Sequence, residues 1–345
     1  MTGSISKKNW GKHADKAIAL FRMENSSGAY VELTNYGAAI VSAVVPDRFG
    51  KLGNVVLGFP AATGYLNDTC YLGATIGRYA NRIAKAAFTL ANQPYHLEAN
   101  DGPHSNHGGI NGFNKQVFDA TVDRDTLTFR YTSTAWAGGY PGNLHVEVGY
   151  RWSETNELAI QYRATTDKQT VLNVTNHAYF NLSAGSRNIF EHTLHIDSTQ
   201  LVDVDGDYIP TGAVVPCGDL AFTGLPVRAR MRQQDSGIRG LNHCYVLNKS
   251  EVGALQHAAR LQDPQSGRTL DVHTTYPGLL LYTGDFLHST SSGHDNRVYE
   301  PFDGLCLECQ YFPDSPNHPN FPSTVLDAGD SYHEQISYKF STSPV

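Results

Sequence analysis

Glu308 lies inside the apolar, β-prone run Leu305-Cys-Leu-Glu-Cys-Gln-Tyr-Phe312, where a carboxylate is expensive unless it is paired or used. Read as a strand, the run sets Leu305, Leu307, Cys309 and Tyr311 on one face and Cys306, Glu308, Gln310 and Phe312 on the other. Desolvation there raises the carboxyl pKa and strengthens the group as a general base. An ion pair with an arginine is the alternative. A second run, Leu172 to Leu182, alternates in the same way. Leu172, Val174, Asn176, Ala178, Phe180 and Leu182 form a nearly apolar face, while Asn173, Thr175, His177, Tyr179 and Asn181 form a polar row centred on a histidine. That row suits a cleft for a polar ligand, or else the solvated face of a sheet.

Two glycine-bearing loops add hydrogen-bonding groups. Gly77-Arg-Tyr-Ala-Asn-Arg-Ile83 carries Asn81, Arg78 and Arg82, whose guanidinium groups suit planar recognition of oxygen ligands, or else one arginine, Arg78, is an internal salt-bridge partner. Asp101 to Gly112 holds His104 and His107, with Gly108-Gly109 permitting close backbone approach to a ligand. The two histidines raise metal binding, but no carboxylate partner is evident, and a neutral histidine donating to a hydroxyl fits better. Cys306-Leu-Glu-Cys309 has the spacing of a zinc knuckle, yet on a strand its two thiols point to opposite faces. No metal and no cofactor are expected; the glycine spacing is not that of a dinucleotide-binding turn.

The elements that must position these groups read as strands. Tyr30–Thr34, Ala39–Val45, Leu127–Tyr131, His145–Tyr150 and Leu158–Arg163 are short, alternating and rich in β-branched or aromatic residues, with turn residues between them. Helical periodicity is confined to residues 251–260. The pattern predicts an all-β chain built from a large antiparallel β-sandwich or barrel with very little helix. No linker divides residues 1–345, so one domain is expected. A formal net charge of −7 without basic blocks leaves no footprint for nucleic acid or an anionic membrane. The five cysteines read as free thiols and, with no apolar leader or span, imply a cytoplasmic protein.

Taken in order, seven segments resemble the aldose 1-epimerase (galactose mutarotase) family. They are Asn35-Tyr-Gly-Ala-Ala, Gly77 to Ile83, His107 to Phe113, Asn173 to Leu182, Ile209-Pro-Thr-Gly212, Tyr282 to Phe286, and Glu308 with the following Pro313-Asp-Ser-Pro-Asn-His-Pro319. The resemblance implies the family's supersandwich fold, a free sugar as the small-molecule partner, and a monomer or homodimer. It further implies Glu308 as general base and His177 as general acid in opening and reclosing the sugar ring. Asn81, Arg82, His107, Asn242 and Tyr179 would contact the sugar. Two positions depart from the family pattern: Asn242 stands where an aspartate is usual, and Leu280 where many members carry a glutamine. The acid–base pair is thus expected to be intact and the preferred sugar not galactose. A non-catalytic sugar-binding protein, an epimerase of a phosphorylated sugar and a glycoside hydrolase are the rival readings.

Overall fold

The computed structural model describes residues 4–234, 237–294 and 296–343. Three antiparallel sheets carry most of the chain. A five-stranded sheet runs in chain order from Ser4–His13 to Leu52–Asn54. A nine-stranded sheet follows the spatial order Asp119–Asp123, Thr126–Ser133, Leu144–Trp152, Glu157–Thr166, Ser331–Thr342, Arg268–Thr274, Gln256–Gln262, Thr193–Ile196 and Thr223–Pro226. The third, six-stranded, runs Tyr179–Phe180, Leu305–Gln310, Gly278–Tyr282, Asn242–Leu247, Ser198–Val204 and Pro210–Pro216. Among the described residues the α-helix is confined to Ala62–Leu66, and no helix is long and apolar enough to cross a membrane.

Cross-strand rows account for the core. Trp152, Leu158, Tyr338, Val272, Ala259 and Ile196 stand directly opposite one another across six consecutive strands of the large sheet, and all six are buried. Side chains paired in this way share one face, so a single register error would expose the whole row. The same core cluster takes in Leu279, Leu281, Leu305, Leu307 and Cys309 of the six-stranded sheet. That sheet therefore buries one face in the core, leaving its other face for Leu280, Cys306 and Glu308.

Two local expectations are overturned. Residues 251–260 form no helix: the chain turns at Gly253 (φ +75°), then runs as strand Gln256–Gln262 between two partners. Ladder bonds on both edges outweigh a weak helical pattern. Leu172 to Leu182 is not one strand but two short pieces, Thr175–Asn176 and Tyr179–Phe180. Asn176 makes the break: its Oδ1 accepts the Ala178 N–H at 3.1 Å while its Nδ2 donates to Gly73 O at 2.8 Å. Much of the polar row is spent on buried carbonyls. Thr175 donates to Cys309 O, Asn173 to Tyr311 O, and Asn181 to Arg187 O and Asp303 O.

Candidate active site

Strand register brings the chemistry together. Tyr179 stands opposite Cys306, and His177, two residues before it and held by backbone bonds to Gly73 and Ala74, comes beside Glu308. On its other edge Glu308 pairs with Leu280, which pairs with Cys244. A second row runs Tyr179, Cys306, Tyr282 and Asn242. His177, Glu308, Leu280, Tyr179, Tyr282 and Asn242 line a cavity of about 250 Å³ together with residues that include Tyr71, Asn81, Arg82, Asp101 and His107.

His177 Nε2 lies 3.7 Å from Glu308 Oε1. Their side chains are 5% and 1% exposed, and neither Glu308 oxygen has a hydrogen-bond partner among the described residues. Burial pushes the Glu308 carboxyl up to about 8, with the nearby Arg82 charge opposing only part of the shift. Burial also holds the His177 imidazole down at about 4. Cys306 Sγ sits 3.5 Å from His177 Nδ1. Desolvation raises that thiol's pKa far enough to keep it protonated, leaving it as an S–H donor toward Nδ1. A neutral imidazole accepting at Nδ1 carries its proton on Nε2, toward Glu308.

His107 is fixed by the same logic. The Asn81 N–H donates to its Nδ1 at 3.3 Å, its own N–H donates to Asn81 O at 3.1 Å, and Tyr71 packs on its ring with centroids 4.7 Å apart. Burial, reinforced by His177 and Arg82, keeps its pKa well below the ordinary range. It thus presents a neutral Nε2–H donor. Asn81 Oδ1 accepts the Arg82 N–H at 2.8 Å, and Arg82 Nε binds Asp101 Oδ2 at 2.8 Å.

Arg78 is structural, but not as an ion pair. Its buried guanidinium donates to Ser133 Oγ and to the carbonyls of Ser133, Thr134 and Pro141, because the loop around it supplies four oxygens and no carboxylate. His104 stays outside the cavity lining, taking the Lys85 N–H on its Nδ1 at 3.1 Å. The potential metal donors that do converge are His107, His177 and Glu308, with ligand atoms all within 4.8 Å of one another. The two thiols of Cys306-Leu-Glu-Cys309 fall in different core clusters, as strand alternation requires.

Tyr71, Cys70, Tyr282 and Asp101 line the cavity without having been singled out from sequence. Tyr71 is delivered by a turn in which Asp68 accepts the N–H groups of Cys70 and Leu72, and it takes a positive φ of 60°. The Asn67-Asp68 pair was the available signal.

The aldose 1-epimerase family model matches residues 19–339. The chain is 42% identical to galactose mutarotase of Mus musculus over 313 residues, 90% of this chain and 91% of that one. It is 32% identical to aldose 1-epimerase of Escherichia coli over 329 residues, 93% and 94% of the two chains. A solved GalM/aldose epimerase homologue from C. elegans superposes with a TM-score of 0.86 at 30% identity, covering 93% of this chain and 98% of that one. On its sequence and its supersandwich of antiparallel sheets alike, this chain belongs to the aldose 1-epimerase family.

Proposed function

We propose that this protein interconverts the α and β anomers of a free aldose by opening and reclosing the ring, with Glu308 as general base and His177 as general acid. The observation that carries this reading is the 3.7 Å approach of His177 Nε2 to a Glu308 carboxyl that has no other partner, in the wall of one small cavity. A site that only bound sugar would have no use for so costly a buried acid.

Proton counting supports the reading. With the carboxyl raised to about 8 and the imidazole lowered to about 4, the empty pair holds one mobile proton near neutrality. A carboxylate facing an imidazolium holds the same number. Sugar hydroxyls donating to Glu308, together with the Arg82 charge, favour that second arrangement. Glu308 then takes the proton from the C1 hydroxyl while His177 gives its own to the ring oxygen. The bond from C1 to the ring oxygen breaks and a C1 carbonyl forms. Rotation about C1–C2 offers the opposite carbonyl face, and the two residues run in reverse. The count closes without an electron acceptor or a leaving group.

Asn81, Arg82, His107, Tyr179 and Asn242 hold the sugar in this reading, and the preferred sugar is not galactose, because Leu280 offers no hydrogen bond and Asn242 no charge. A phosphorylated substrate finds little support: Arg82 is the one arginine or lysine among the described cavity residues, and its Nε is already bound to Asp101. That pairing also weighs against a hydrolase, since it occupies the second cavity carboxylate. Five cysteines without a disulfide are in keeping with a cytoplasmic setting. Anomer exchange followed by NMR over a panel of aldoses tests the activity. Glu308→Gln and His177→Asn should each slow it at least ~100-fold, and buffer-level rates on every sugar would refute it. A highest kcat/KM on galactose would refute the specificity alone.

A further inference from the structure

We infer that the site favours aldoses carrying no hydroxyl at C2. The inference rests on the proposed Glu308–His177 reaction and adds a direction to it. Tyr179–Phe180, just after His177, pairs along one edge of the Glu308 strand, and Leu280 stands opposite Glu308 on the other edge. If the C1 hydroxyl meets Glu308 and the ring oxygen turns toward His177, C1's other ring neighbour, C2, points at Leu280.

Leu280 is 4% exposed and lines the cavity. Leu280 packs with Val202, Cys244, Phe312 and Phe321 in one buried cluster, and the neighbouring buried Gln310 is not among the residues that line the cavity. A C2 hydroxyl pressed against that wall gives up water and recovers nothing, whereas a hydrogen at C2 has nothing to give up. The nearest alternative partners are set elsewhere. Tyr282 OH already accepts the Phe286 N–H at 2.9 Å. Asn242 stands in the other row and one strand further from Glu308, which suits a hydroxyl farther round the ring.

The test compares kcat/KM for 2-deoxyglucose and glucose by NMR exchange, each corrected for its own buffer-catalysed rate. The wild type should favour 2-deoxyglucose about tenfold. Leu280→Gln should reverse the preference, and Leu280→Met, which keeps the apolar wall and guards against a folding defect, should retain it. The inference is overturned if the wild type turns over glucose well and prefers it, or if Leu280→Gln exchanges sugar normally without changing the order. Buffer-level exchange on both sugars and on every other aldose would instead overturn the proposed reaction, and this inference with it.

Discussion

His257 is held between two aspartates: its Nδ1 faces Asp197 Oδ2 at 2.5 Å and its Nε2 faces Asp271 Oδ1 at 3.3 Å. Hydrogen bonds to these carboxylates raise its pKa above the ordinary 6.5, and Asp271, also gripped by Arg260, is held down at about 2. Because the folded pKa of His257 lies above the unfolded one, its contribution is complete below pH 6.5 and is lost as pH rises through the raised value. Asp271 runs the other way: its contribution is present above the unfolded value near 3.8 and vanishes as pH falls through about 2. Urea denaturation should show His257→Ala costing about 1 kcal/mol at pH 6 and less at pH 9. Equal costs at both pH values would contradict this.

The active pair predicts a bell-shaped pH dependence of kcat/KM. Above about 8 Glu308 loses its proton and the pair has none to move; below about 4 His177 gains a second. The rate should fall on both sides, and the two limbs belong to the pair rather than to either residue. A rate that kept climbing past pH 10 would be incompatible with a single shared proton.

Glu308 should also cost stability where it is charged. Its folded pKa is raised from 4.5 to about 8, so its contribution is fully favourable below pH 4.5 and declines as pH rises through 8. Glu308→Gln is therefore expected to denature at higher urea than the wild type at pH 9, while losing activity. A lower midpoint would mean that the carboxylate has a partner in the fold after all.

Arg78 donates to four oxygens: the carbonyls of Ser133, Thr134 and Pro141 and the Ser133 hydroxyl. Arg78→Met should destabilise the protein by roughly 3 kcal/mol, by stranding three carbonyls and a hydroxyl. Any enzyme that remains folded should keep its KM, since Arg78 does not line the cavity. A shift in KM with unchanged stability would assign it to the site instead.

Much of this was legible in the sequence because strands alternate strictly. Glu308 needed only its apolar neighbours to mark it as buried, and Cys306 and Cys309 needed only their spacing to be separated. The alternation failed at Leu172 to Leu182 because an asparagine side chain there captures the backbone and resets the period. The partners of Arg78 were hidden for a different reason: backbone carbonyls from residues 133–141 carry no signature in side-chain types. Tyr71 was missed because its position depends on a turn closed by Asp68, not on periodicity. His107, by contrast, came from a loop whose glycines announced a close approach.

Glu308 is fixed by its strand, paired with Leu280, while His177 is fixed by backbone bonds to Gly73 and Ala74 just before the Tyr179–Phe180 strand joins the same sheet, so backbone pairing on both sides sets the gap between acid and base. Side chains elsewhere around the cavity can change without touching those backbone bonds. The fold thereby separates what is chosen from what is done: sugar preference can drift through side chains such as Leu280 and Asn242, while the reacting distance rests on main-chain bonds that no side chain supplies.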